Sequence, residues 1–182
     1  FLTKLLGDRS YSYDKKIVSK IGDITIDLFN QNRIATVIKH IPGHGLSKKD
    51  THFKLPYIKQ KLIYLDKNDF SVFKNKKSIF AMTAHIVFKK IDKNNCATHS
   101  KKTIKYIRNK IGYKNLIISD DISMKALKYS FNENIVKAYA AGCNLVLHCN
   151  ANIREMNALA KISPKVDHFI IKKTSEFYKL LS

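Results

Sequence analysis

Four short apolar runs divide the chain, and segments with helical spacing lie between them. The runs show little alternation of polar and apolar residues, which is typical of strands buried on both faces of a parallel sheet. Strands that alternate with helices in this way predict an α/β fold with helices packed outside a parallel sheet. The predicted strands cover residues 34–38, 78–82, 116–118 and 144–147.

The helical segments are recognised by apolar residues that recur on one face. They include Ile17, Ile21, Ile24 and Leu28 before the first strand, Ile104, Ile107 and Ile111 before the third, and Ile135, Ala138 and Tyr139 before the fourth. Further helices are predicted over residues 153–162 and, after Pro164, in an amphipathic segment through Phe169, Phe177 and Leu181. Four strands are too few to close an eight-stranded barrel, which typically takes about 250 residues. We therefore predict one domain over residues 1–182, built as a partial (β/α) TIM-type barrel or an open sheet.

Reactive side chains gather at the C-terminal ends of the predicted strands. Active sites of (β/α) barrels are built at that end, and open α/β sheets bind ligands there as well. The pattern therefore predicts a functional site at this edge of the sheet. The residues are Lys39 and His40 in the first strand region, His85 in the second, Ser119, Asp120 and Asp121 in the third, and Cys149 and Asn150 in the fourth.

The formal net charge of +20 raises the question of a nucleic-acid partner. Only four of the 34 basic residues are arginines, and the lysines are spread through a chain rich in isoleucine and asparagine, as an A+T-rich coding sequence produces. No aromatic RNA-binding box, helix-turn-helix signal or paired zinc ligands accompany them. We expect a solvated basic surface without a specific nucleic-acid partner, and a basic nucleic-acid-binding module is the alternative.

The three cysteines, Cys96, Cys143 and Cys149, are an odd number without the spacing of a disulfide framework. This favours reduced thiols and a cytoplasmic location. Cys143 and Cys149 are predicted to be small buried side chains. No stretch approaches the roughly 18 uninterrupted apolar residues that span a bilayer, so we expect no membrane partner.

The loop after the first strand reads KHIPGHG over residues 39–45 and continues to Asp50 and His52. Its glycines and proline suit a defined loop that presents side chains over a pocket. Asp50 lies two residues from His52, close enough to orient one imidazole nitrogen. Such a pair is a general acid/base near neutral pH. The alternative is a polar surface loop.

The third predicted strand ends in Ser119, Asp120 and Asp121. A carboxylate just beyond a buried strand is held rigidly and is suited to nucleophilic attack. Asp121, one residue further into the turn, is suited to capping the next helix. A metal site would draw on His40, His44, Asp50, His52 and Asp120, but their spacing matches neither a helical HExxH motif nor a zinc knuckle, and we expect no metal.

Several of these segments, taken together and in order, resemble glycoside hydrolase family 3, specifically its bacterial β-N-acetylglucosaminidases. Residues 39–45 with 50–52 are similar to the family loop KHFPGHG…DSH, and Ile41, Thr51 and Ile122 stand where the family pattern has Phe, Ser and Leu. The other matching segments are residues 7–11 (GDRSY), 82–85 (MTAH), 112–124 (GYKNLIISDDISM), and 141–150 (AGCNLVLHCN).

The resemblance implies a two-step, retaining hydrolysis of terminal β-linked N-acetylglucosamine, with no cofactor. Asp120 matches the family nucleophile, His52 the general acid/base and Asp50 its partner. Arg9, Lys39 and His40 match residues that hold the sugar. The implied substrates are cell-wall muropeptide fragments or chitobiose-like sugars, recycled in the cytoplasm.

The resemblance also implies earlier strands that the first six residues do not supply. We therefore expect an incomplete catalytic domain that lacks its N-terminal strands. A separate N-terminal fragment is a candidate partner. The alternative is a non-catalytic, truncated remnant that keeps only the loops.

Overall fold

The structure, a computed structural model, describes residues 10–47 and 55–182. Helices and strands alternate along most of this length, as predicted. The helices are α1 (Lys15–Gln31), α2 (Leu62–Lys67), α3 (Lys101–Tyr106), α4 (Phe131–Ala141), α5 (Ile153–Ile162) and α6 (His168–Leu181). The strands are β1 (Val37–Ile41), β2 (Tyr57–Ile58), β3 (Phe80–Thr83), β4 (Val87–Phe88), β5 (Leu116–Asp121) and β6 (Leu145–Leu147).

Four of the strands form one parallel sheet in the order β1-β3-β5-β6. Ile38 pairs with Ala81, which in turn pairs with Ile117. The order along the sheet follows the order along the chain, as between consecutive strands of a (β/α) barrel. The predicted α/β class, with four parallel strands and flanking helices, is therefore confirmed.

The strand ends lie further along the chain than the apolar runs indicate. β1 ends at Ile41, so Lys39 and His40 are part of the strand, and β5 extends through Asp121. These polar residues are paired within the sheet: Lys39 pairs with Met82, and Asp121 pairs with Leu147. Polar residues are stable in the last positions of these strands because their side chains reach the open edge of the sheet, where the site forms.

The predicted helices are present, and local sequence accounts for their ends. The Asp14 side chain caps α1, and Ser130 and Glu133 form a reciprocal capping box at the start of α4. Gly142 ends α4 with a φ of 111°, which a residue with a side chain rarely adopts. The helical segment predicted before the third strand continues past α3 as a π-helical turn over Ile107–Ile111. Ile104, Ile107 and Ile111 are all buried.

Two features were not predicted: the helix α2 and a small second sheet in which β2 pairs in parallel with β4. Strands of two residues have no period that a sequence pattern reveals. β4 begins four residues after β3 ends, so the small sheet lies beyond the carboxyl end of the main sheet. It contributes Ile58, Val87 and Phe88 to the core.

The structure tests the predictions made for the three cysteines. All three thiols are free, and Cys96 and Cys143 are buried. The prediction that Cys149 is buried is wrong: it lies two residues beyond the end of β6 and is exposed. No helix in the described ranges is long and apolar enough to cross a bilayer.

The amino end of the sheet is tied together by Arg108. Its guanidinium donates to the carbonyl oxygens of Tyr113 and Asn115 and, at 2.8 Å, to the Asn144 side-chain oxygen. The same Asn144 oxygen accepts the N–H of Ile117 at 2.9 Å. One cation thus joins the helical segment after α3 to the starts of β5 and β6, at the end of the sheet opposite the carboxyl ends of the strands.

The sheet edges predict how the 182-residue chain behaves when it is expressed alone. Within the described residues β1 and β6 each pair on one side only, and α1 exposes Ile17, Ile24 and Leu28. Unpaired edges and exposed apolar side chains favour association. We expect oligomers by size exclusion with light scattering, and less association in Val37→Lys, which places a charge at the exposed β1 edge. A monodisperse monomer that unfolds cooperatively would contradict this.

Candidate active site

The carboxyl ends of β1 and β5 bring His40 and Asp120 together. The distance from His40 Nε2 to Asp120 Oδ2 is 3.5 Å. Their side chains are 22% and 16% exposed, so both are sheltered yet open to a ligand from one side. The intervening strand β3 ends at Thr83 and is followed by Ala84, two small residues that leave room for this contact across the sheet.

The Asp120 carboxylate is oriented by its own backbone turn. Oδ1 accepts the N–H of Asp121 at 2.8 Å, while Oδ2 faces His40. One oxygen is thereby fixed by the strand end and the other is presented toward the cleft. A carboxylate held in this way is suited to attack an electrophilic carbon of a bound ligand, because little reorganisation is needed on the path to the transition state.

Asp121 serves the structure of the strand end. Its Oδ1 accepts the N–H of Ser123 at 3.0 Å and the N–H of Cys149 at 3.3 Å, and both oxygens bond the Ser123 hydroxyl. The prediction that Asp121 caps the next helix is wrong, because turns occupy the segment up to Ser130 and that residue caps α4. Asp121 instead closes the turn after β5 and ties it to the end of β6.

A buried imidazole fixes the backbone beside these two carboxylates. His85 is fully buried; its Nε2 lies 3.0 Å from the Asp121 carbonyl oxygen and its Nδ1 lies 2.7 Å from Thr98 Oγ1. A carbonyl oxygen accepts only, so Nε2 carries the proton and Nδ1 accepts from the Thr98 hydroxyl. Burial lowers the pKa of His85, so the ring is neutral. The chain continues to Thr83, whose hydroxyl lies 2.9 Å from that of Thr98.

His40 is also held as a neutral ring. Burial lowers the pKa of His40 to about 4, against the opposing effect of the Asp120 carboxylate, and the neighbouring His44, Lys39 and His85 lower it further. The rings of His40 and His44 lie 5.2 Å apart. A neutral imidazole offers one donor and one acceptor, which suits a sugar hydroxyl better than a charged group would.

The lowered pKa of His40 predicts a dependence of stability on pH. The unfolded chain protonates His40 near pH 6.5, whereas the folded chain does so near pH 4. Between these two pH values the unfolded state binds more protons than the folded state. The contribution of the neutral His40 to the free energy of unfolding is therefore present above pH 6.5 and is lost as the pH falls toward 4. The expected loss is about 3 kcal/mol. Urea unfolding at several pH values should show a smaller loss in His40→Asn; an equal loss in both proteins would contradict it.

Lys39 lies beside His40, and both line a cavity of about 240 Å³. The cavity is also lined by His44, Asn68 and Asp69, and by the segment that leads into α1. Lys39 is exposed and is placed, as predicted, at the same edge of the sheet as Asp120. Its role toward a sugar remains a prediction.

Three of the predicted site residues, Arg9, Asp50 and His52, lie outside the described residues. Their roles stay predictions made from the sequence. Among residues 10–47 and 55–182, no group of three or more His, Cys, Asp or Glu side chains is placed to hold a metal ion. Two of the five candidate metal ligands, Asp50 and His52, fall in the part that is not described.

Sequence reasoning missed Asp69, which is buried behind the loop that carries His44. It also missed Thr98, the hydroxyl that orients His85. Neither residue lies in a recognisable motif. A carboxylate between Asn68 and the apolar Phe70 was a weak signal, because α2 and the turn after it were not predicted.

A parallel sheet whose carboxyl edge carries a presented aspartate and a sheltered neutral imidazole is the arrangement in which (β/α)-barrel folds build their sites. Comparison with known protein families identifies the class of protein more narrowly. The pattern of the glycosyl hydrolase family 3 N-terminal domain matches residues 3–173, and the chain belongs to this family.

Known relatives are consistent with that placement. The chain is 30% identical over 191 aligned positions to a β-hexosaminidase of Photobacterium profundum, covering 100% of this chain and 57% of the relative. It is 32% identical to a β-hexosaminidase of Haemophilus influenzae, covering 93% and 51%. A family 3 β-N-acetylglucosaminidase from Paenibacillus superposes with a TM-score of 0.84 at 25% identity, covering 98% of this chain and 36% of that one. The chain thus spans about half the length of the curated relatives.

Proposed function

We propose that this chain carries the catalytic edge of a retaining β-N-acetylglucosaminidase. The contact between His40 and Asp120 carries the proposal. Both residues belong to segments that resemble the family motifs, and the fold places them together at the end of the sheet where barrel chemistry occurs. Relatives named β-hexosaminidases support the same activity.

In the proposed first step, Asp120 attacks the anomeric carbon of the terminal sugar. The carbon–oxygen bond to the leaving group breaks, and His52 gives that oxygen a proton. The product is a covalent glycosyl-enzyme. In the second step water attacks the same carbon, His52 takes the proton from that water, and Asp120 leaves as a carboxylate.

The remaining residues have supporting roles in this proposal. Asp50 orients His52, and Arg9, Lys39 and His40 hold the sugar hydroxyls. His40 is suited to this because its ring is neutral and sheltered. The chemistry requires charge and proton transfer at side chains alone, so the proposal needs no cofactor.

The substrate proposed in more detail is a terminal N-acetylglucosamine on a cell-wall muropeptide fragment, or a chitobiose-like sugar. The setting is peptidoglycan recycling in the cytoplasm, which agrees with three free thiols. A complementing N-terminal fragment is the proposed partner, because β1 has an unpaired edge among the described strands.

The experiment is hydrolysis of a chromogenic β-N-acetylglucosaminide, followed by NMR of the product anomer. We expect turnover with retention, and a covalent adduct when a fluorinated glycoside traps the intermediate. A matched α-glycoside is the control and should not be cleaved. Binding of N-acetylglucosamine without turnover would support the non-catalytic remnant instead, and inversion at the anomeric carbon would contradict the two-step mechanism.

A further inference from the structure

A buried carboxylate, Asp69, lies behind the loop that follows β1. Asp69 comes two residues after α2 and directly before the fully buried Phe70, and the whole residue is 9% exposed. The loop in question covers residues 42–46 and is named the 42–46 loop here. It begins two residues after His40, so its position and that of His40 depend on one another.

The backbone of the 42–46 loop rests directly on this carboxylate. The N–H of Gly45 donates to Asp69 Oδ1 at 3.2 Å. At Gly43 the approach is so close that an added Cβ would overlap Oδ2 and come within 2.5 Å of Asp69 Cγ. The loop therefore meets the carboxylate at two places, by a hydrogen bond and by a steric contact that only glycine permits.

The carboxylate is costly where it lies. Oδ2 has no hydrogen-bond partner among the described residues, and Asp69 forms no ion pair with any of them. Burial raises the pKa of Asp69 to about 6, although the Gly45 N–H acts in the opposite direction. A buried charge with so little compensation from the described residues destabilises a fold, and perturbed groups of this kind cluster at functional sites.

The 42–46 loop connects Asp69 to the candidate site. Asp69, His44 and His40 line the same cavity, and the His44 ring lies 5.2 Å from that of His40. His40 in turn contacts Asp120 at 3.5 Å. A continuous set of contacts therefore runs from Asp69 through the loop to the imidazole that faces the candidate nucleophile.

We propose that Asp69 is a positioning residue that holds the 42–46 loop, and with it His40, in the arrangement that meets Asp120. It acts through the loop backbone and does not touch the substrate. The structural part of this inference stands on the contacts alone; only its effect on turnover rests on the proposed function.

The direct test compares Asp69→Ala, which removes the acceptor, with Asp69→Asn, which keeps an oxygen for the Gly45 N–H. In Asp69→Ala we expect exchange of the Gly45 amide to accelerate about tenfold or more, the scale of a lost hydrogen bond to a charged group. The His40 titration, followed by NMR of its ring, should move from about 4 toward its ordinary value as the ring gains access to water. Asp69→Asn should restore both.

The matched control is Asp66→Ala. Asp66 lies in α2, three residues before Asp69, and its carboxylate bonds the Tyr106 hydroxyl at 3.0 Å and Lys74 at 3.1 Å, away from the loop. This variant also loses a carboxylate and its contacts, but should leave Gly45 exchange and the His40 titration unchanged. If Asp66→Ala shifts them as much as Asp69→Ala does, the effect is general loosening and the proposal is overturned.

A second variant covers the case in which Asp69→Ala does not fold. Gly43→Ala disturbs the same contact from the loop side, and Gly43 has no positive φ that would add backbone strain. It should shift the His40 titration in the same direction. A folded Gly43→Ala or Asp69→Ala protein with unchanged Gly45 exchange and His40 titration would overturn the proposal.

The turnover measurement separates this inference from the proposed function. If the wild-type chain hydrolyses a β-N-acetylglucosaminide, Asp69→Ala should raise KM and lower kcat together, and Asp69→Asn should recover most of both. If the wild-type chain has no turnover, the proposed function fails on its own, and the NMR measurements still decide the role of Asp69.

Discussion

Replacing Asp120 with asparagine is expected to lower kcat by several orders of magnitude while sugar binding is retained. Asparagine has nearly the same shape, and its oxygen can accept the Asp121 N–H as Oδ1 does. It lacks the negative charge that is proposed to attack the anomeric carbon, so the loss should fall on the chemical step. The measurement is kcat and KM with a chromogenic β-N-acetylglucosaminide.

Asp121→Asn is the matched control for this prediction. The amide oxygen can still accept the N–H groups of Ser123 and Cys149, so the turn after β5 should persist and activity should stay within a few-fold. Peptide mass spectrometry of the protein trapped with a fluorinated glycoside should place the sugar on Asp120. A label on Asp121, or turnover without any covalent adduct, would contradict the assignment.

The second large effect is expected for His52→Ala, and it should depend on the leaving group. A poor leaving group departs only when its oxygen is protonated, so its hydrolysis should slow by two or more orders of magnitude, about the usual contribution of a general acid. A good leaving group needs little protonation, so formation of the glycosyl-enzyme should slow far less. The measurement is kcat/KM across a series of aryl β-N-acetylglucosaminides.

Asp50→Asn belongs in the same series because its proposed role is to orient the imidazole. It should show the same dependence on the leaving group with a smaller loss. Equal losses for all leaving groups in His52→Ala would contradict a role in protonation and would make His52 a binding or structural residue. The series therefore separates proton transfer from positioning.

The four strands of the main sheet and the longer helices could be predicted because their signals are local; α2, β2 and β4 could not. The apolar face of α1 and the boundaries of α5, residues 153–162, follow from spacing alone. The placement of His40 and Asp120 at the same edge of the sheet could be predicted as well, since parallel strands deliver their carboxyl ends to one edge. Their direct contact was not predicted. Local pattern and sheet geometry were sufficient for this much.

The roles that could not be predicted depend on partners far along the chain. Asp121 bonds Ser123 locally, but its tie to the Cys149 N–H, 28 residues away, is contained in no pattern around residue 121. His85 is oriented by Thr98, 13 residues away. Asp69 is covered by the 42–46 loop, which precedes α2 in the chain, whereas Asp69 follows α2. The residues around Asp69 therefore gave no sign that its carboxylate is buried.

The hydrogen bonds of Arg108 at the amino end of the sheet bear on which parts of the domain can vary in sequence. Arg108 bonds the backbone carbonyl just before β5 and the Asn144 side chain just before β6, and the same side chain bonds the backbone of β5, at the end remote from Asp120 and His40. Because the Arg108 contacts lie at one pole of the sheet, changes to the loops at the other pole should leave these contacts in place, although the loops tied to Asp69 and Asp121 carry constraints of their own. Loop exchange at the carboxyl edge is therefore a route to new binding specificities that leaves this anchor intact, whereas substitutions at Arg108 should destabilise the fold whatever the ligand.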